Sequence, residues 1–112
     1  MMTRQSALEA LQEFRSRIDT VDRSILLLLN ERARIVEEIG RIKQSAHMPI
    51  YEPKREDQVF DNVTRHNTGP LAPEAVRRIF ERIIDEMRGV QRAQMEAAAG
   101  NDCPGAAQDG DS

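Results

Sequence analysis

Residues 6–45 read SALEALQEFRSRIDTVDRSILLLLNERARIVEEIGRIKQS. Two rows keep a strict seven-residue step through this stretch: Leu11, Ile18, Ile25, Arg32, Ile39, and Phe14, Val21, Leu28, Ile35, Ile42. Alternating between the rows gives the three-four spacing of a helical seam. Nine of the ten positions are apolar, and Arg32 is the exception. A third row, Leu8, Arg15, Asp22, Leu29, Val36, Lys43, lies beside them. Arg15, Arg32 and Lys43 therefore sit on or at the edge of an otherwise apolar face. Cations in that position ask for an anionic ligand held between helices.

Ser6 followed by Glu9 is a capping-box pattern, which predicts a helix from Ala7 to near Ser45 with residues 1–5 frayed. About 40 residues make a helix of roughly 60 Å. A globule of 112 residues has a radius of gyration of only about 13 Å. One subunit cannot wrap such a helix, so the expectation is an antiparallel homodimer that buries the seam. Gly40 interrupts the pattern at a cost of about 1 kcal/mol relative to Ala. Either it is tolerated there, or its small size lets another backbone or a ligand come close.

Downstream, His47-Met48-Pro49-Ile50-Tyr51-Glu52 reads as an irregular link. Pro53 suits the first position of a second helix running to about His66, with Val59, Phe60 and Val63 as its stripe. Asn67-Thr68-Gly69-Pro70 is a stop and turn. Pro73 opens a third helix whose inner face is Val76, Ile79, Phe80, Ile83, Ile84, Met87 and Val90. Gln91 continues that face, so a neutral amide points inward. Residues 1–97 read as one all-α domain of three helices. Residues 98–112, rich in Ala, Gly, Asp, Asn and Pro, read as a disordered tail.

Composition narrows the function classes. A net charge of −3 gives no signature of nucleic-acid or acidic-membrane binding. No run is long and apolar enough to span a bilayer, and the N-terminus lacks the uncharged apolar core of a signal peptide. The lone Cys103 excludes an internal disulfide and fits a cytoplasmic location. There is no Cys/His cluster for zinc and no Gly-rich phosphate loop.

Geometry then constrains the cations. Arg15 and Lys43 lie 28 residues apart, roughly 42 Å along one helix, too far to share a small ligand. In an antiparallel pair with its midpoint near residue 26, residue 15 of one chain faces about residue 37 of the other. That point is within roughly 9 Å, along the axis, of Arg32 and Lys43. Each pocket would then hold Arg32 and Lys43 of one subunit and Arg15 of the other, twice per dimer. Two guanidinium forks suit two carboxylates. Taken singly, each residue has a plainer role: Arg32 in an ion pair with Asp22 or Glu38, Lys43 as a helix-end cap, Gln91 as a satisfied interface amide.

The segments LQEFRSRIDTVDRSILLLLNERARIVEEIGRIK, HMPIYEPKRED and RIFERIIDEMRGVQ resemble the all-helical chorismate mutases over about residues 8–95. The combination R-x-x-I-D-x-x-D, E-R, I-G-x-x-K, P-x-x-x-x-x-R-E and a late Gln carries the likeness. It implies an intertwined dimer of three-helix subunits, with chorismate as substrate and prephenate as product, on the Phe/Tyr branch of aromatic amino acid biosynthesis, and a pericyclic rearrangement that needs no metal or other cofactor. By motif, Arg15 and Arg32 would hold the two carboxylates, and Lys43 and Gln91 the ether oxygen. Arg55 and Glu56 match the Arg-Glu pair, with Glu56 on the ring hydroxyl. Glu52 stands where many relatives have Asp. Met87 stands where some have a Ser that touches a carboxylate, and a thioether cannot donate that hydrogen bond.

The resemblance leaves neighbouring functions to be separated. An isochorismate-pyruvate lyase resembles the same fold and shares the cationic pocket. A non-catalytic helical dimerisation or regulatory module would explain the seam but not the inward Arg32 and Gln91. A mutase activated by a larger pathway enzyme is a further variant.

Overall fold

The computed structural model describes residues 1–102, and within them the chain is three helices: α1 (Arg4–Ser45), α2 (Pro53–His66) and α3 (Pro73–Asp102). All are as the periodicity demands, with two corrections at the ends. Helix α1 starts at Arg4, not Ala7. The cap is Thr3: its Oγ1 accepts the Ser6 N–H at 3.1 Å, and its carbonyl accepts the Ala7 N–H at 2.9 Å. Ser6 thus lies inside the first turn and is not the cap. Helix α3 continues to Asp102, five residues past Ala97. Residues 98–102 are helical because Ala97, Ala98 and Ala99 carry the highest helix propensity of any residue through the point where composition alone suggests a break. The rest of the expected tail, 103–112, lies outside the described residues.

The chain divides into two compact units, Met1–Arg34 and the portion from Ile35 onward. The first is the N-terminal part of α1. Its apolar rows face water: Leu11, Phe14, Ile18, Val21, Ile25 and Leu28 are all 45–62% exposed. Full burial of such side chains is worth roughly 1.5–3 kcal/mol each, so this face is costly to leave uncovered.

The second unit packs the end of α1, α2 and α3 around a small core of Val36, Phe60, Val76, Ile84 and Met87. On α1 the inward residues are Val36, Gly40 and Lys43, at four- and three-residue steps. They belong to the third row and its flank. Ile35, Ile39 and Ile42, from the two seam rows, are exposed. Ile79, expected on the inner face of α3, is also exposed.

Loop chemistry sets how the elements meet. Helix α1 ends with His47 in the left-handed region (φ 56). The Met48 N–H bonds the Lys43 carbonyl at 2.7 Å, and the His47 N–H bonds that of Gln44 at 3.2 Å. This paired closure satisfies two otherwise orphaned carbonyls and turns the chain back on the helix end. After α2, the Asn67 Oδ1 accepts the Gly69 N–H at 3.0 Å, and its Nδ2 donates to the Leu71 carbonyl at 2.8 Å. Gly69 takes φ 80 there, a conformation open to Gly at little cost. Pro73 then starts α3 without wasting a donor.

Candidate functional site

The reversal after α1 brings polar groups back onto Lys43. The Lys43 Nζ donates to the Ile50 carbonyl at 3.0 Å and lies 2.7 Å from the Glu52 Oε1. Lys43 is only 5% exposed. A buried ammonium is tolerated only when hydrogen-bonded and paired, and both conditions are met here. Glu52 is the residue immediately before α2, yet its side chain makes no helix-capping bond. Lys43 holds it instead.

Gln91 reaches the same unit's interior from α3. It is 8% exposed, and its Oε1 has no hydrogen-bond partner. A buried unpaired amide oxygen costs about 1–3 kcal/mol, and the Gln94 Oε1 is unpaired in the same way. Gly40 explains how α1 comes near α3. A Cβ built there would lie 2.7 Å from the Gln94 Oε1 and 3.7 Å from the Gln91 Cα. The close approach anticipated at Gly40 is therefore to a neighbouring helix. Gln44 adds a bond from its Nε2 to the Met95 carbonyl at 3.1 Å.

Glu56, one turn beyond Glu52, is gripped from α3. Arg88 donates from Nε to the Glu56 Oε2 at 2.9 Å and from Nη2 to Oε1 at 3.0 Å. This fork-on-carboxylate geometry fixes both the direction and the plane of the Glu56 carboxylate. Hydrogen bonding to Glu56 raises the Arg88 pKa above its already high ordinary value, so the guanidinium stays charged. The other faces of Arg88 meet Asp85, at 3.3 Å, and the Tyr51 ring, 5.7 Å from its centroid.

The remaining candidates are distributed differently. Arg55 is exposed and reaches Gln58, at 3.5 Å. Met87 is buried in the core. Arg15 is exposed and Arg32 half-buried, both in the Met1–Arg34 unit. Within the second unit, Lys43 and Gln91 are buried, and Glu52 and Glu56 are half-buried. Arg88 and the Ile50 carbonyl are the contributors that sequence reasoning missed. Glu56 and Arg88 are 32 residues apart, and no local spacing links them. The Ile50 contact is made by backbone and has no side-chain signature.

The family model for chorismate mutase type II matches residues 14–92. Among curated relatives, the bifunctional chorismate mutase/prephenate dehydratase of Aquifex aeolicus is 38% identical over 89 residues, covering 76% of this chain and 25% of that one. The chain thus spans about a quarter of the length of the bifunctional relatives it matches first. The chorismate mutase of Methanocaldococcus jannaschii is 29% identical over 90 residues, 80% of this chain and 91% of that one. A solved structure of chorismate mutase from Thermus thermophilus, form II, aligns with a TM-score of 0.73 at 37% identity, covering 74% of this chain and 94% of that one.

Proposed function

Because the chain belongs to the chorismate mutase type II family, we propose that it rearranges chorismate to prephenate as a homodimer with two shared sites. Arg15 of the partner subunit and Arg32 hold the substrate's two carboxylates. The flexible enolpyruvyl group is thereby kept over the ring in the reactive chair, an orientation effect. As the ether C–O bond breaks and the new C–C bond forms, negative charge grows on the ether oxygen. Lys43 and Gln91 donate to that oxygen, and only the part of their interaction that strengthens in the transition state raises the rate. Glu56 accepts from the ring hydroxyl.

The observation that carries this reading is the setting of Lys43. Its contacts with Ile50 and Glu52 account for two of the three ammonium donors and fix its direction. The third donor is the one given to the ether oxygen. Gln91, a neutral amide buried in the same unit, suits a second donor that works at any pH. The exposed apolar rows of α1 support the dimer. We assign the reaction to the cytoplasm, in keeping with a chain whose lone cysteine can form no internal disulfide.

Chorismate consumption with formation of prephenate tests the activity. Salicylate and pyruvate formed from isochorismate would replace it with the lyase. Neither turnover nor chorismate binding would leave a dimerisation module, and activity that rises only with an added pathway enzyme would reveal an activator. Mixed dimers test the sharing. Arg15→Ala and Lys43→Ala homodimers each lack a group at both sites. Co-refolded, half the dimers are mixed and each has one whole site, so roughly a quarter of all sites recover in a closed two-fold assembly. Confirmed exchange without recovery refutes the shared site.

A further inference from the structure

Arg88 has no assigned role in the reaction, yet it grips Glu56 with two hydrogen bonds from one guanidinium. Two ion pairs stand one turn apart. Glu52 is the N-cap residue of α2 and Glu56 lies in its first turn, and Glu52 meets Lys43 at 2.7 Å. Arg88 and Gln91 are three apart on α3 and share a face. The Arg88–Glu56 pair thus ties α3 to the first turn of α2, and the Lys43–Glu52 pair ties the end of α1 to the residue before that turn. Glu56 has 19% of its side chain exposed and Arg88 31%, so the pair is half sheltered and still reachable.

We infer that Arg88 is a positioning residue for substrate specificity: its fork orients Glu56 to accept the ring hydroxyl of chorismate. The inference rests on the mutase reading. Each Glu56 oxygen has two acceptor sites, and Arg88 uses one on each. Both oxygens can still take a second hydrogen bond while the guanidinium holds the carboxylate plane. Asp85 and Tyr51 hold the guanidinium in turn. Without Arg88 the three-torsion Glu56 side chain is free to rotate, and the hydroxyl must meet an unoriented acceptor. Lys at this position keeps the charge but has no planar fork.

The test uses wild type, Arg88→Met and Arg88→Lys, with inhibition constants for two bicyclic diacids that mimic the chair transition state. One carries the ring hydroxyl and the other has hydrogen in its place. Arg88→Met should weaken the hydroxylated inhibitor roughly tenfold, in the range of a charge-assisted hydrogen bond, and leave the other unchanged. Arg88→Lys should recover melting temperature more than it recovers affinity for the hydroxylated inhibitor. It also supplies the folded comparison if the Met variant does not fold. Equal weakening of both inhibitors means a merely structural bridge and overturns the inference, as does weakening of neither. Wild-type turnover of chorismate separates the two levels. If it is absent, the mutase reading fails and the inference with it; if it is present while the inhibitors are weakened alike, the inference alone fails.

Discussion

Replacing Lys43 with Met separates stability from catalysis. Met keeps most of the stem length and fills the same buried slot, while the charge and its donors are lost. The structure limits the cost in stability. The Glu52 carboxylate is 43% exposed, so once unpaired it rehydrates, and such a pair contributes about 1 kcal/mol or less. The Ile50 carbonyl loses one hydrogen bond, worth about 1 kcal/mol. Against these losses, an ammonium no longer has to be desolvated. The net loss is about 1 kcal/mol, a fall in melting temperature of roughly 5 °C for a domain of this size. Catalysis should fall much further. Deleting one preorganised donor to a developing oxyanion costs about 10²–10³ in kcat. Thermal melts with initial rates of chorismate loss, measured well below the midpoint, give both numbers. A kcat within about tenfold of wild type would refute the role of Lys43. So would a melting temperature so depressed that unfolding accounts for the lost rate.

Gly40→Ala gains about 1 kcal/mol of helix propensity and drives the flexible end of Gln94 aside. Its melting temperature should hold or rise slightly, and a loss of more than about 2 kcal/mol would mean that Gln94 cannot move. Gln91→Glu should be active mainly at acidic pH, because only a protonated carboxyl can donate to the ether oxygen. A rate–pH profile with equal activity or equal loss from acid to neutral pH would count against that contact. Arg32→Lys should give a well-folded dimer with severely reduced kcat/KM, since the charge stays but the carboxylate fork is lost. Steady-state kinetics close to wild type would defeat the assignment.

Elements whose signals are local were legible in the sequence. Pro53 and Pro73 mark their helix starts, and Asn67 to Pro70 mark the turn, because backbone geometry restricts which residues fit. The inward direction of Lys43 and Gln91 follows from helical period. The helix ends were read less well. Thr3-x-x-Ser6 lacks the Glu or Gln that makes a capping box recognisable, and the alanines of α3 compete with a composition otherwise typical of loops. The partners of the acidic residues were not legible. Both Glu52 and Glu56 precede or begin a helix, where a carboxylate ordinarily serves the N-terminal N–H groups. Only packing reveals that Lys43 and Arg88 claim them.

The row Leu8, Arg15, Asp22, Leu29, Val36, Lys43 shows one periodic pattern in two environments. At Val36 and Lys43 the chain covers its own helix, and the buried cation has its counterion and carbonyl supplied from within. At Arg15 the same row is exposed, beside Phe14 and Ile18, which are exposed as well. Phe14 and Ile18 belong to the apolar seam rows, and an apolar face left exposed points to an occupant outside the chain's own packing. Lys43 is thus built to be held rigid, whereas Arg15 is built to be presented. An exposed guanidinium such as Arg15 is hydrated while its face is uncovered. It gains a great deal when the covering surface carries an anion it can fork. That asymmetry is the physical argument for a site completed by a second copy of the chain, and recovery of activity in mixed dimers is its measure.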